Sequence, residues 1–162
     1  MPWLMLVAAC YVAAILQATL DPVIGVGHVV PDWFALTALL VVLTVRRPHS
    51  LAIGLIVGLA ADLSGVGPLG ISTALLMLTT VTVAHVRRKL HIAHPALQVP
   101  LLAVATTTYT VGVVLLTMIA TWSTAAGITP ILGAIGVGFY TGAVALPVLL
   151  TLSWIREPYP IA

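Results

Sequence analysis

From residue 99 to residue 153 the chain carries no Asp, Glu, Lys or Arg, and residues 3–20 and 71–84 are free of them too. A run of about 18 or more such residues is long enough to cross the hydrocarbon core of a bilayer. Composition agrees: 61% of the residues are hydrophobic, 6% are charged, and the mean hydropathy is +1.20, where a soluble domain has about a quarter of its residues charged. The chain reads as an all-α integral membrane protein with a single domain over residues 1–162.

Turn formers and charges divide the apolar sequence at DPVIGVGHVVPD (21–32), RRPHS (46–50), LSGVGPLG (63–70), RRKLHIAHP (87–95) and TWSTAAGITP (121–130). Six transmembrane helices are expected, near residues 2–20, 32–46, 50–64, 70–86, 97–121 and 130–155. The second and third are short, about 22 Å each at about 1.5 Å per residue, against a core of about 30 Å. Folding them into a re-entrant hairpin would leave Arg46 and Arg47 near mid-membrane with no adjacent carboxylate, a costly position for a cation. Local thinning and snorkelling arginines are cheaper, so six crossings are kept.

All six Lys and Arg follow the second, fourth and sixth expected spans: Arg46 and Arg47, then Arg87, Arg88 and Lys89, then Arg156. By the positive-inside rule both termini face the cytoplasm. Trp3, Trp33, Trp122 and Trp154 fall near span ends, where an interfacial aromatic belt would place them. The segment VAAC (7–10) hints at a lipoprotein cleavage box, but no basic residue precedes it, as a signal peptide requires. Cys10 is the only cysteine and is expected to be a buried, inert thiol.

Catalysis needs titratable groups that converge, and within the spans Asp62 is nearly alone. His85, His91 and His94 cluster near the basic connector, yet a zinc site usually wants three or four ligands on fixed elements. No phosphate-cradling GxxxxGK[ST] motif and no soluble basic face for nucleic acid is present. No enzyme activity, cofactor, metal or nucleic-acid partner is expected.

Packing and one carboxylate remain. Gly54, Gly58 and Asp62 are spaced i, i+4, i+8 and share a helix stripe of the small-residue kind that lets membrane helices approach closely. Ala9 and Ala13, Ala14 and Ala18, and Gly138 and Gly142 form similar pairs. Such a stripe serves a contact inside the bundle or docks a partner helix. In the second case Gly58→Leu inserts normally but loses the partner. After Asp62 come Gly65, Gly67, Pro68 and Gly70, where glycine permits left-handed backbone and proline stops the helix. Asp62 is expected to accept free N–H groups two or three residues on in an Asx-type turn. A partner contact and an ion or proton site are the other two readings.

PDWFALTALLVVL (31–43) followed by GLIVGLAADLSGVGPLG (54–70) resembles the core signature of the rod shape-determining protein MreD family. Pro31 and Asp32 match its Pro-Asp opening; Gly54, Gly58 and Asp62 match its Gly-xxx-Gly-xxx-Asp helix; Gly65, Pro68 and Gly70 match its closing turn. The family often has Arg before the Pro-Asp pair, where this chain has Val30. The resemblance implies a non-enzymatic inner-membrane component of the cell-elongation machinery that makes peptidoglycan. Its implied partner is an MreC-like single-span protein, and through it a RodA-type glycosyltransferase, a penicillin-binding transpeptidase and MreB filaments. It also implies a fold similar to the substrate-binding subunits of energy-coupling-factor vitamin transporters. That kinship supplies the alternative function, a transporter subunit, which needs a polar and aromatic pocket. Threonines 106, 107, 108 and 110 offer hydroxyls, but back-bonding within the helix is their commoner use. No convergent polar set is visible in the sequence, and no vitamin binding is expected.

Overall fold

The computed structural model describes residues 2–24, 29–44, 49–65, 68–89, 95–121 and 129–156. They form six helices: α1 (Pro2–Ile24), α2 (Trp33–Thr44), α3 (Ser50–Ser64), α4 (Ile71–Lys89), α5 (Pro95–Ala120) and α6 (Thr129–Arg156). Each lies where a span is expected. Three ends run further than expected by two residues or more: α1 continues to Ile24, α5 begins at Pro95, and α4 carries Arg87, Arg88 and Lys89 in its last turn. Cations there oppose the negative end of the helix dipole. Leu97–Ala120 and Thr129–Thr151 are long and apolar enough to cross a membrane, while Leu6–Leu20, Trp33–Leu43 and Ser50–Ser64 are shorter apolar stretches. Gly67, Arg46, Arg47, His91, His94 and Trp122, and the side chains of Trp3, Asp21, Trp154 and Arg156, lie outside the described residues.

The shortest helix is the central one. α2 has 12 residues, about 18 Å at about 1.5 Å per residue, and it touches all five other helices. Phe34, Ala35, Leu36, Ala38, Leu39, Val42 and Leu43 are all buried. A short helix is tolerated at membrane depth when protein rather than lipid surrounds it. At its start, the Asp32 carboxylate accepts the Ala35 N–H at 2.9 Å, and the Asp32 N–H donates to Thr141 Oγ1 of α6 at 3.0 Å. Near its end, Arg87 of α4 donates to the Val42 carbonyl at 2.9 Å. Trp33 is 9% exposed, so its ring packs into the bundle and not into an interfacial belt.

Around α2 stand two tight antiparallel pairs, α3 with α4 and α5 with α6. Both are built on glycines four residues apart. A Cβ on Gly58 would sit 2.5 Å from Thr73 Cα, and one on Gly54 would sit 2.6 Å from Met77 Cα. Across the other pair, a Cβ on Gly142 would meet the Ala103 Cβ at 2.7 Å, and one on Gly138 would collide with Thr107. Backbones this close leave no room for a side chain, and close approach is what drives helix association in lipid. Threonine hydroxyls join the same seams. Thr80 Oγ1 reaches the Ser50 carbonyl at 3.0 Å, and Thr106 and Thr110 reach the Gly138 and Ala134 carbonyls at 3.1 and 2.8 Å.

The outer faces are apolar. On α3, Leu51, Leu55, Leu59 and Leu63 form an exposed stripe opposite the glycines, and Leu4, Val7, Tyr11 and Ile15 do the same on α1. Exposed Thr19, Thr82, Thr108, Thr121 and Thr151 each donate to a carbonyl four residues back in their own helix. A hydroxyl satisfied in this way can face hydrocarbon.

Candidate functional site

Asp62 lies in the last turn of α3 and is 7% exposed. Its Oδ2 accepts the Gly70 N–H at 2.9 Å, the Thr73 N–H at 3.0 Å and the Thr73 hydroxyl at 2.5 Å, while Oδ1 accepts the Ser72 N–H at 3.2 Å. These donors belong to the start of α4, where the first N–H groups of a helix have no partner within it. A carboxylate there satisfies them and faces the positive end of the dipole. The sequence led to an Asx-type turn with donors two or three residues on. Instead the donors lie eight to eleven residues on, because the loop folds back and sets α4 directly over the end of α3.

The residues of the turn have unequal roles. Gly70 has φ +97°, a conformation that costs most side chains heavily, and its carbonyl accepts the Ala74 N–H at 2.9 Å to open α4. Gly65 was also expected to use left-handed backbone. Its φ of −89° and ψ of 166° are extended and open to any residue, and its N–H closes α3 on the Ala61 carbonyl. Pro68 is exposed and Pro31 is fully buried, directly before the Asp32 cap.

Gly54 and Gly58 are buried against α4. The contact that their spacing suggested is made within this chain, and the expectation that Gly58→Leu inserts normally and only loses a partner gives way to a folding role. The outward face of α3 carries the leucines.

Between the helix ends on the Asp62 side lies a cavity of about 450 Å³. Its walls come from the C-terminal parts of α1, α3 and α5 and the N-terminal parts of α2, α4 and α6, so all six helices contribute and successive helices alternate in direction. Gln17, Asp32, Ser64, Ser72, Tyr109 and Thr110 supply its polar side chains, and Phe34, Val113, Ala134 and Val137 line the apolar side. Tyr109 is 3% exposed; it faces Ser72 and stands in the field of both Asp32 and Asp62. The Gln17 Oε1 atom is buried without a hydrogen-bond partner. Of these residues only Asp32 and Thr110 had been singled out in the sequence. Gln17 carried a usable signal, since a lone amide in an apolar span is expensive and often functional.

The sequence matches the family profile for rod shape-determining protein MreD over residues 1–133. No curated protein and no solved structure matches the chain. The matched span holds the Pro31–Asp32 opening that caps α2, both glycines of the α3–α4 seam, and the Asp62 cap on α4. With these features inside the match, the chain belongs to the MreD family of membrane proteins that determine rod shape.

Proposed function

We propose that this protein is a non-enzymatic scaffold of the bacterial cell-elongation machinery. It crosses the inner membrane six times with both termini in the cytoplasm and holds an MreC-like single-span protein from the lipid side. Through that partner it connects to a RodA-type glycosyltransferase, a penicillin-binding transpeptidase and MreB filaments. Family membership over residues 1–133 is the observation that carries this reading. The use of the carboxylates supports it: Asp62 and Asp32 both accept N–H groups at helix starts, as a rigid framework requires. Because Gly54 and Gly58 are taken up by α4, the partner would pack against an outer face such as the α3 leucines Leu51, Leu55 and Leu59.

A second reading, a vitamin transporter's substrate-binding subunit, has one observation in its favour, the cavity at the Asp62 end. Purifying the tagged chain in mild detergent and identifying what accompanies it separates the two. The scaffold reading expects an MreC-like protein; recovery of an ATPase-driven coupling module in its place would overturn it.

A further inference from the structure

We propose that the outer face of α4 holds an anionic phospholipid, with its headgroup on His85, Arg88 and Lys89 and an acyl chain along the helix before them. The inference is independent of the scaffold role.

Ala74, Leu78, Thr82, His85 and Lys89 are all exposed, and their spacing of three or four residues puts them on one line along the helix. Leu76, Thr80 and Val83 are buried on the other side. The line changes character once. Leu78 is 64% exposed, and the Thr82 hydroxyl is spent on the Leu78 carbonyl at 2.8 Å, so this part presents an apolar surface. His85 and Lys89 follow, with exposed Arg88 beside them. Ala74 and His85 are about 16 Å apart along the axis at about 1.5 Å per residue, close to one leaflet of a hydrocarbon core about 30 Å thick. A phospholipid has the same order and length, an acyl chain and then a charged headgroup.

The three consecutive cations are used differently. Arg87 is half-buried and donates to the Val42 carbonyl at 2.9 Å. Arg88 and Lys89 are exposed, and neither they nor His85 makes a side-chain hydrogen bond or ion pair with a described residue. Of the described carboxylates, Asp62 caps the start of α4 and Asp32 lies at that same end, against the cavity. The described residues therefore supply no carboxylate at the C-terminal end of α4 to balance these cations. In a bilayer the anion at that depth is the lipid phosphate. Arg88 can grip it through a planar fork of donors and Lys89 as a point charge, and His85 adds an imidazole N–H in either tautomer. Each basic side chain near an anionic membrane surface is worth about fivefold in binding.

The face of α1 provides an internal control. Its Val7 is 58% exposed, no Lys or Arg precedes Arg46 in the chain, and α1 does not touch α4 among the described residues. The experiment places a bimane fluorophore on Thr82→Cys or on Val7→Cys, each in a Cys10→Ala background reconstituted in phosphatidylcholine vesicles. Quenching by dibrominated phosphatidylglycerol is compared with quenching by dibrominated phosphatidylcholine at the same mole fraction. At Thr82→Cys the anionic lipid should behave as though enriched about fivefold or more; at Val7→Cys the two lipids should quench alike. Arg88→Gln combined with Lys89→Gln leaves Arg87 on Val42 and should bring the Thr82→Cys ratio close to that of Val7→Cys, whereas Arg88→Lys should keep most of the preference. Equal quenching by the two lipids at Thr82→Cys, or the same anionic preference at both labelled positions, would overturn the proposal without any charge variant. So would a preference that survives the double substitution. Loss of the preference on adding free sn-glycerol 3-phosphate would also overturn it, since the cations would then be binding a phosphate and not a lipid.

Discussion

Replacing Asp62 by Leu removes the group that joins α3 to α4, and the cost can be worked out donor by donor. Gly70 is exposed, so its N–H can turn to water or headgroups. Thr73 is buried and donates both its N–H and its hydroxyl to Oδ2. A buried donor left unsatisfied costs about 1–3 kcal/mol. The two Thr73 donors together cost about 2–6 kcal/mol, before counting the half-buried Ser72 N–H and the lost dipole interaction. That is a large fraction of a typical stability of about 5–15 kcal/mol. Asp62→Asn keeps one oxygen, which can take the Oδ2 position where three of the four donors converge. Its amide would then meet the Ser72 N–H as donor against donor, so a smaller loss of about 1–2 kcal/mol is expected. The assay is the monodisperse fraction surviving a temperature series in detergent, at matched membrane insertion. The expected order is wild type, then Asn slightly lower, then Leu far lower. If Leu melted with the wild type, the cap would carry no stability. If Asn were as damaging as Leu, negative charge rather than hydrogen-bond acceptance would be the essential property.

Gly58→Leu should lose folded protein, since its Cβ would lie 2.5 Å from Thr73 Cα and overpacking at backbone contact costs about 1–3 kcal/mol or more; Leu59→Ala on the exposed face should fold normally. A Gly58→Leu protein that is fully folded yet has lost its partner would return the stripe to a docking role. Arg87→Leu removes the donor to the Val42 carbonyl and should lower the melting midpoint by the equivalent of about 1–2 kcal/mol, whereas an unchanged midpoint would make that contact incidental. In a Cys10→Ala background, His28→Cys and Ala126→Cys should react with an impermeant thiol reagent from outside, and His49→Cys and Ile92→Cys should not. Outside labelling at position 49 would exclude six crossings with both termini inside.

Some of this architecture was legible from residue order. Charges and turn formers marked six segments because a membrane helix cannot carry either cheaply through its middle. Asp62 could be read as structural because free N–H groups were bound to follow it, although the sequence did not show how far on they would be. The missed features depend on which face meets which neighbour. Trp33 stands at a helix end, as a belt residue would, but α2 is enclosed by five helices and its ring has no interface to reach. The glycines at 54 and 58 announced a close contact without naming the other side of it. Gln17, Ser72 and Tyr109 are single polar groups on three different helices, so no local pattern unites them. They meet only once α1, α4 and α5 are set in place.

The most direct test of the scaffold assignment is cell width in a rod-shaped host depleted of its own family member and expressing this chain at matched membrane levels. The account predicts rods of normal width, with width lost again when Asp62→Leu lowers the amount of folded protein. Cells that round up despite wild-type amounts of correctly inserted chain would contradict it.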